Sequence, residues 1–145
     1  MATWAELERA EEALAAFGRE RFASRITYQA TLMRDGSPRL HPVSPWFAAG
    51  LLCVSFRETS PKVAEVARDG RYAMHSSQPP DDHDGLHGEF MVRGWMEQIS
   101  PVHPAVNARP SEPDFALVHY ACSVEEAVQT TYPGGGPPVY RRWRA

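Results

Sequence analysis

The chain has 145 residues, 43% hydrophobic and 23% charged, with a formal net charge of −3, a composition that fits one cored domain needing neither disulfides nor a structural metal. The slight negative charge excludes a general electrostatic grip on nucleic acid, and no run approaches the roughly eighteen apolar residues of a membrane span. Cys53 and Cys122 form no C-x-x-C and stand at no zinc spacing, and residues 3–22 are too charged for a secretory leader, so a protein of the reducing cytoplasm is expected.

Thr3-Trp4-Ala5-Glu6 is a capping box that starts a helix. Leu7, Ala10, Leu14 and Phe17 follow at spacings of three and four as one apolar stripe, and Gly18 weakens the helix before Phe22. From Ile26 the period becomes two: Ile26, Tyr28, Ala30 and Leu32 alternate against Thr27, Gln29 and Thr31, as in a half-buried strand. Asp35-Gly36 turns the chain into a second strand, Arg39 to Val43, and the apolar run Leu51 to Phe56 gives a third, so that three strands meander.

Ser60 is a preferred N-cap and Pro61 a preferred first residue for the next helix, which Asp69-Gly70 ends. Arg71–Ser77 and Gly88–Ile99 read as further strands around the polar loop 78–85, and the prolines between 101 and 113 allow only a short helix. Strand character resumes at 115–120 and 127–132, and Gly134-Gly135-Gly136 leads into a last strand, Val139 to Trp143. The expected fold is mainly β (α+β): a six- to seven-stranded antiparallel barrel with an N-terminal helix and short peripheral helices, a single domain over 1–145.

Two segments carry chemistry. Ser60-Pro61-Lys62 joins a helix start to a hydroxyl and an ammonium, a combination that suits a phosphate, although Ser60 as a plain cap and Lys62 as a solvated charge is the simpler alternative. Lys62 is the one lysine among fifteen basic residues. Pro42 and Pro45 interrupt the run 39–47, and proline cannot donate to a sheet ladder, so this strand has an edge along which another molecule can lie.

Together these segments resemble the pyridoxamine phosphate oxidase-like family of FMN-binding split β-barrels. The resemblance rests on the hairpin from Ala30 to Val43, on Ser55-Phe56 ending a strand, on Ser60-Pro61-Lys62, on Arg68-Asp69-Gly70-Arg71-Tyr72-Ala73 and on Gly88-Glu89-Phe90-Met91-Val92-Arg93-Gly94. It implies a homodimer with FMN at the subunit interface, in which Arg39, His41, Pro42, Val43 and Ser44 run beside the isoalloxazine. Ser55 and Phe56 then pass the ribityl chain, and Ser60 and Lys62 hold the phosphate, helped by Arg39 or Arg57. The function implied is an FMN-dependent oxidoreductase of unknown substrate. A deazaflavin-dependent reductase, a haem-associated relative and a non-catalytic flavin-binding or sensing protein remain alternatives.

The departures are as informative. The Arg-Leu-His-Asp-Arg run by which true pyridoxamine phosphate oxidases read their substrate is missing, and Pro61 and Ser44 stand where the family often has cations. Asp81-Asp82-His83-Asp84 with His87 has metal-ligand chemistry, but the glycines and prolines around it fit a solvated loop better. His41 suits either polarisation of a flavin carbonyl or burial in the strand, whereas His75, His119, Cys53 and Cys122 read as packing residues and Trp46, Trp95 and Trp143 as core or interface residues. Arg141 to Arg144 reads as a solvated end. No catalytic acid or base is assigned.

Overall fold

The computed structural model describes residues 1–23 and 26–145, and the expected first helix is in fact two, α1 (Trp4–Ala10) and α2 (Glu12–Phe22). The capping box forms: the Thr3 N–H donates to the Glu6 carboxylate (2.5 Å) and Thr3 Oγ1 accepts the Glu6 N–H (3.3 Å). Glu11, at φ −145°, breaks the helix, and the two pieces fold their apolar sides together. Gly18 helps the packing rather than weakening it. A Cβ there would sit 2.3 Å from the Phe90 ring, so glycine lets α2 settle on the sheet beside Trp4, Leu7, Leu14 and Phe22, all fully buried. Each such side chain contributes about 1.5–3 kcal/mol of burial.

The strands are β1 (Thr27–Leu32), β2 (Pro38–Val43), β3 (Trp46–Ala48), β4 (Leu51–Arg57), β5 (Arg71–Ser76), β6 (Glu89–Ile99), β7 (Leu117–Cys122), β8 (Glu126–Thr131) and β9 (Val139–Arg144). Helix α3 (Pro61–Arg68) follows β4, and α4 (Pro104–Asn107) follows β6. All pairings are antiparallel, in the order β2-β1-β5-β6-β7-β4-β3, with β8 on β6 and β9 on β8. The sheet curls into a half-barrel because the eleven-residue β6 pairs with β5 and β8 through its first part and with β7 through 96–99.

Among the described residues the sheet has nine strands where a barrel of six or seven was expected: the eight segments read as strands all form, and β3, just past Ser44-Pro45, is added. The expected meander does not form. β4 pairs with β3 and β7, not β2, so β2 is left as an edge of the sheet.

β1 keeps its period of two, but its buried side is the polar one. Thr27, Gln29 and Thr31 are 0–1% exposed while Ile26 and Tyr28 are nearly half exposed. The inward residues are only partly satisfied: Thr31 Oγ1 meets His41 Nε2 (3.3 Å) and the Gln29 amide N–H reaches Met96 Sδ (3.6 Å), while Gln29 Oε1 has no partner among the described residues. The outward side continues across the sheet in register, Pro42–Tyr28–His75–Met91 in one row and Leu40–Ala30–Ala73–Arg93 in the next.

The 78–88 segment is built around one residue rather than being a bare solvated turn. Asp82 is buried and accepts from the backbone N–H groups of Leu86 (2.7 Å) and His87 (3.0 Å), while the Arg21 guanidinium donates to the His87 carbonyl. Among the described residues no three His, Cys, Asp or Glu side chains group as metal ligands. Arg141 to Arg144 is likewise no free end: it forms most of β9, with Arg141 paired to Glu11. No helix is long and apolar enough to cross a membrane among the described residues.

Candidate functional site

Strands β2 and β4, the start of α3 and the segment leading into β7 line an open cavity of about 430 Å³. Seven of the nine residues singled out from the sequence line it: Pro42, Val43, Ser44, Ser55, Phe56, Ser60 and Lys62. The curl of the sheet brings them together, since β2 and β4 are far apart in strand order.

Arg39 and His41 do not line it. The Arg39 guanidinium is held in a bidentate pair with Glu65 of α3 (Nε–Oε2 2.8 Å, Nη2–Oε1 2.7 Å), which keeps the Glu65 carboxyl below its usual range and ties α3 to β2. His41 faces inward behind the wall, 8% exposed, with Nε2 on Thr31 and Nδ1 3.4 Å from Lys62 Nζ. Because the ammonium can only donate, Nδ1 accepts and Nε2–H donates to Thr31. Burial, then the Lys62 and Arg39 charges, push the imidazole from 6.5 down to about 4, so it is neutral near pH 7. With both nitrogens engaged, His41 has no hydrogen left for a group in the cavity and instead fixes Lys62.

The start of α3 offers less than its sequence promised. Ser60 Oγ accepts the Lys62 N–H (3.3 Å), the Ser60 carbonyl accepts the Val63 N–H (3.1 Å), and Pro61 has none, so anion affinity there rests on side-chain charge.

That charge comes from three cations held on aromatic rings. Lys62 Nζ lies 4.4 Å from the Phe56 ring centroid, Arg57 Cζ 3.8 Å from Phe115, and Arg109 Cζ 5.6 Å from Trp46. All three cations line the cavity, and none forms an ion pair among the described residues. An aromatic face orients a cation without neutralising it. Ser55 Oγ lies 2.8 Å from Nδ1 of His119, whose pKa is lowered by burial and then by Arg109, so a neutral imidazole holds the hydroxyl in place.

Arg109 and the Ser55–His119 pair were not read as site features from the sequence. Arg109 sits in a proline-bounded loop with no local motif, and His119 gains its role only through the β4–β7 register, Ser55 opposite His119. The cysteines are inert as expected: both are buried, and burial pushes the Cys53 thiol up to about 12 and Cys122 well above its ordinary value.

The sequence matches no family model and no curated protein. Solved structures do match. A pyridoxamine 5'-phosphate oxidase-related, FMN-binding protein from Nostoc punctiforme superposes with a TM-score of 0.62 at 13% identity, over 96% of both chains. A haem-binding protein from Mycobacterium smegmatis gives 0.67 at 17% identity over 89% of this chain, which spans 57% of that one. An F420 reductase gives 0.59 at 16% identity, over 75% of this chain and 94% of the other.

The chain has the split β-barrel fold of these proteins. Within that barrel, the cavity beside edge strand β2 brings together three cations that have no ion pair among the described residues, and it is the place in which to look for a ligand.

Proposed function

We propose that this split barrel binds FMN in the 430 Å³ cavity and acts as a small FMN-dependent oxidoreductase. The observation that carries the reading is the set of cations held on aromatic rings with no carboxylate partner among the described residues, which leaves the cavity short of negative charge. A phosphate dianion supplies it. Lys62 and Arg57 would hold the phosphate with the Ser60 hydroxyl, Ser55 would meet the ribityl chain, and the free edge of β2 through Pro42, Val43 and Ser44 would lie along the ring system. The names of the structural neighbours support a flavin-type group, with a deazaflavin as the alternative.

When bound, FMN supplies two-electron redox chemistry, taking hydride from a reduced nicotinamide or a similar donor. The chain's part is to orient the ring, balance the phosphate charge and limit water. Among the described residues the cavity lining contains no carboxylic acid and no histidine, which favours a non-catalytic flavin carrier or sensor as the second reading.

A homodimer belongs to the same proposal. The outward rows of β2, β1 and β5 place Leu40 (72% exposed), Ile26 and Tyr28 on one face, with Trp95 of β6 beside them, an apolar area that a second copy would cover. Titration with FMN and riboflavin tests the site, and sedimentation tests the assembly. FMN should bind at least about tenfold more tightly than riboflavin, and the protein should sediment as a dimer. Equal affinities would remove the phosphate site, and a monomer holding stoichiometric flavin would remove the shared one. Turnover of added reduced nicotinamide separates the enzyme from the carrier.

A further inference from the structure

A second cavity, about 350 Å³, adjoins the first across Arg109, Ser44 and Ile26, which line both. Its other walls are Pro45, Trp46 and Pro110, with Ser111 at the rim. Trp46 brings no polar atom to it, because the indole N–H is spent on the Ala105 carbonyl (2.9 Å). The cavity therefore has mainly apolar walls, with the serines Ser44 and Ser111 and one charged corner.

That corner has capacity to spare. Of the five N–H donors of the Arg109 guanidinium, one goes to the Ser111 carbonyl (2.6 Å), and the Arg109 Cζ lies over the Trp46 ring, 5.6 Å from the centroid. Arg109 has no ion pair among the described residues, and Glu112 acts on it only through space. One net positive charge on a planar fork, beside apolar walls and partly balanced by a distant glutamate, matches a single planar anion better than a dianion.

We propose that this adjoining cavity is a binding subsite for a small molecule with an apolar, planar body and one carboxylate, paired with the Arg109 guanidinium. The proposal rests on the FMN reading only in making that carboxylate the substrate held beside the flavin. The subsite itself requires only Arg109 and the walls around it.

Calorimetric titration with benzoate and with its neutral isostere benzamide, on protein free of flavin and on protein mixed with excess FMN, tests it. Benzoate should bind about tenfold or more tightly than benzamide, the worth of a charge-assisted pair. Arg109→Met should abolish that preference, while Arg109→Lys keeps part of it, since the charge remains and the fork is lost. FMN affinity should fall far less than benzoate affinity in Arg109→Met. The proposal is overturned by equal binding of the two probes, by no benzoate binding up to about 10 mM, by a preference that survives Arg109→Met, or by an equal loss of FMN and benzoate, which would assign Arg109 to the phosphate. If FMN does not bind at all, the flavin-free titration still decides the subsite.

Discussion

The molecule has two basic clusters, and they are built on opposite plans. On the outer face, Arg93, Arg142 and Arg144 converge on the buried carboxylate of Glu126 at 2.5, 3.2 and 3.1 Å. Burial raises the pKa of Glu126, but the guanidinium groups of Arg144 and Arg93 outweigh it and keep the group ionised. In the cavity beside β2, Lys62, Arg57 and Arg109 rest on Phe56, Phe115 and Trp46 with no carboxylate among them. The outer cluster also borders a cavity, of about 460 Å³, yet each of its three arginines is already ion-paired within the chain, all of them sharing Glu126. Cations mark a binding site only after their partners are counted. Aromatic rings leave a charge to be used, and carboxylates use it up.

The sharpest way to break this contrast is at Lys62. Lys62→Ala should weaken FMN by about 2–3 kcal/mol and leave riboflavin nearly unaffected, because the ammonium acts on the phosphate, which riboflavin lacks. Lys62→Arg should restore FMN binding only in part. A similar weakening of both ligands would place the lysine elsewhere.

His41 stands behind that cluster and is held neutral first by burial and then by the Lys62 and Arg39 charges. Its folded pKa of about 4 lies below 6.5, so the stability held by the neutral imidazole is complete above pH 6.5 and is lost as pH falls towards 4. Between pH 7 and pH 4.5 the loss is about 2 kcal/mol. Other groups titrate in that interval, so the measurement is a difference: urea unfolding of wild type and His41→Gln at pH 7 and pH 4.5. The variant should lose less on acidification, and parallel losses would show that the imidazole is not held neutral.

The ion-paired cluster is opened by Glu126→Gln. Its three arginines are more than half exposed, so their freed charges meet water, and the cost should be about 1 kcal/mol rather than that of breaking a fully buried pair. Inorganic phosphate should then perturb the β8 and β9 amides of the variant and not those of the wild type. Unchanged spectra in both would mean that unpaired arginines alone do not make an anion site.

How much of this could be read from the chain follows from the range of each interaction. Local signals were legible: the Thr3 capping box, the Ser60-Pro61 helix start, the proline-marked edge at β2 and the period of two in β1. The break at Glu11 was not, because it depends on how α1 and α2 pack rather than on a breaker residue. Alternation fixes that β1 has two faces but not which one is inward. That choice falls to distant partners such as His41 and Met96, which accommodate Thr31 and Gln29. Seven of the twelve residues lining the cavity were accessible through the family resemblance, whereas the pairing of Arg39 with Glu65 and the placing of Arg57 and Arg109 on aromatic rings arise between segments far apart in sequence.

Phe115→Leu gives the finest test of the difference between the clusters. Leucine keeps the apolar contact but has no π face, so it removes the orientation of Arg57 without touching the guanidinium itself. Phe115 is 41% exposed, so the fold should barely respond. At such an exposed position the aromatic face is worth about 0.5 kcal/mol, and FMN affinity should drop by roughly twofold with riboflavin unchanged. Because the drop is small, it needs a reference: Arg57→Met in the same titration sets the full contribution of that cation. In the double variant the two effects should not add, since the ring acts only through the arginine. Additive effects would show that Phe115 touches the ligand directly, and the aromatic ring would then be a wall of the cavity rather than a support for its charge.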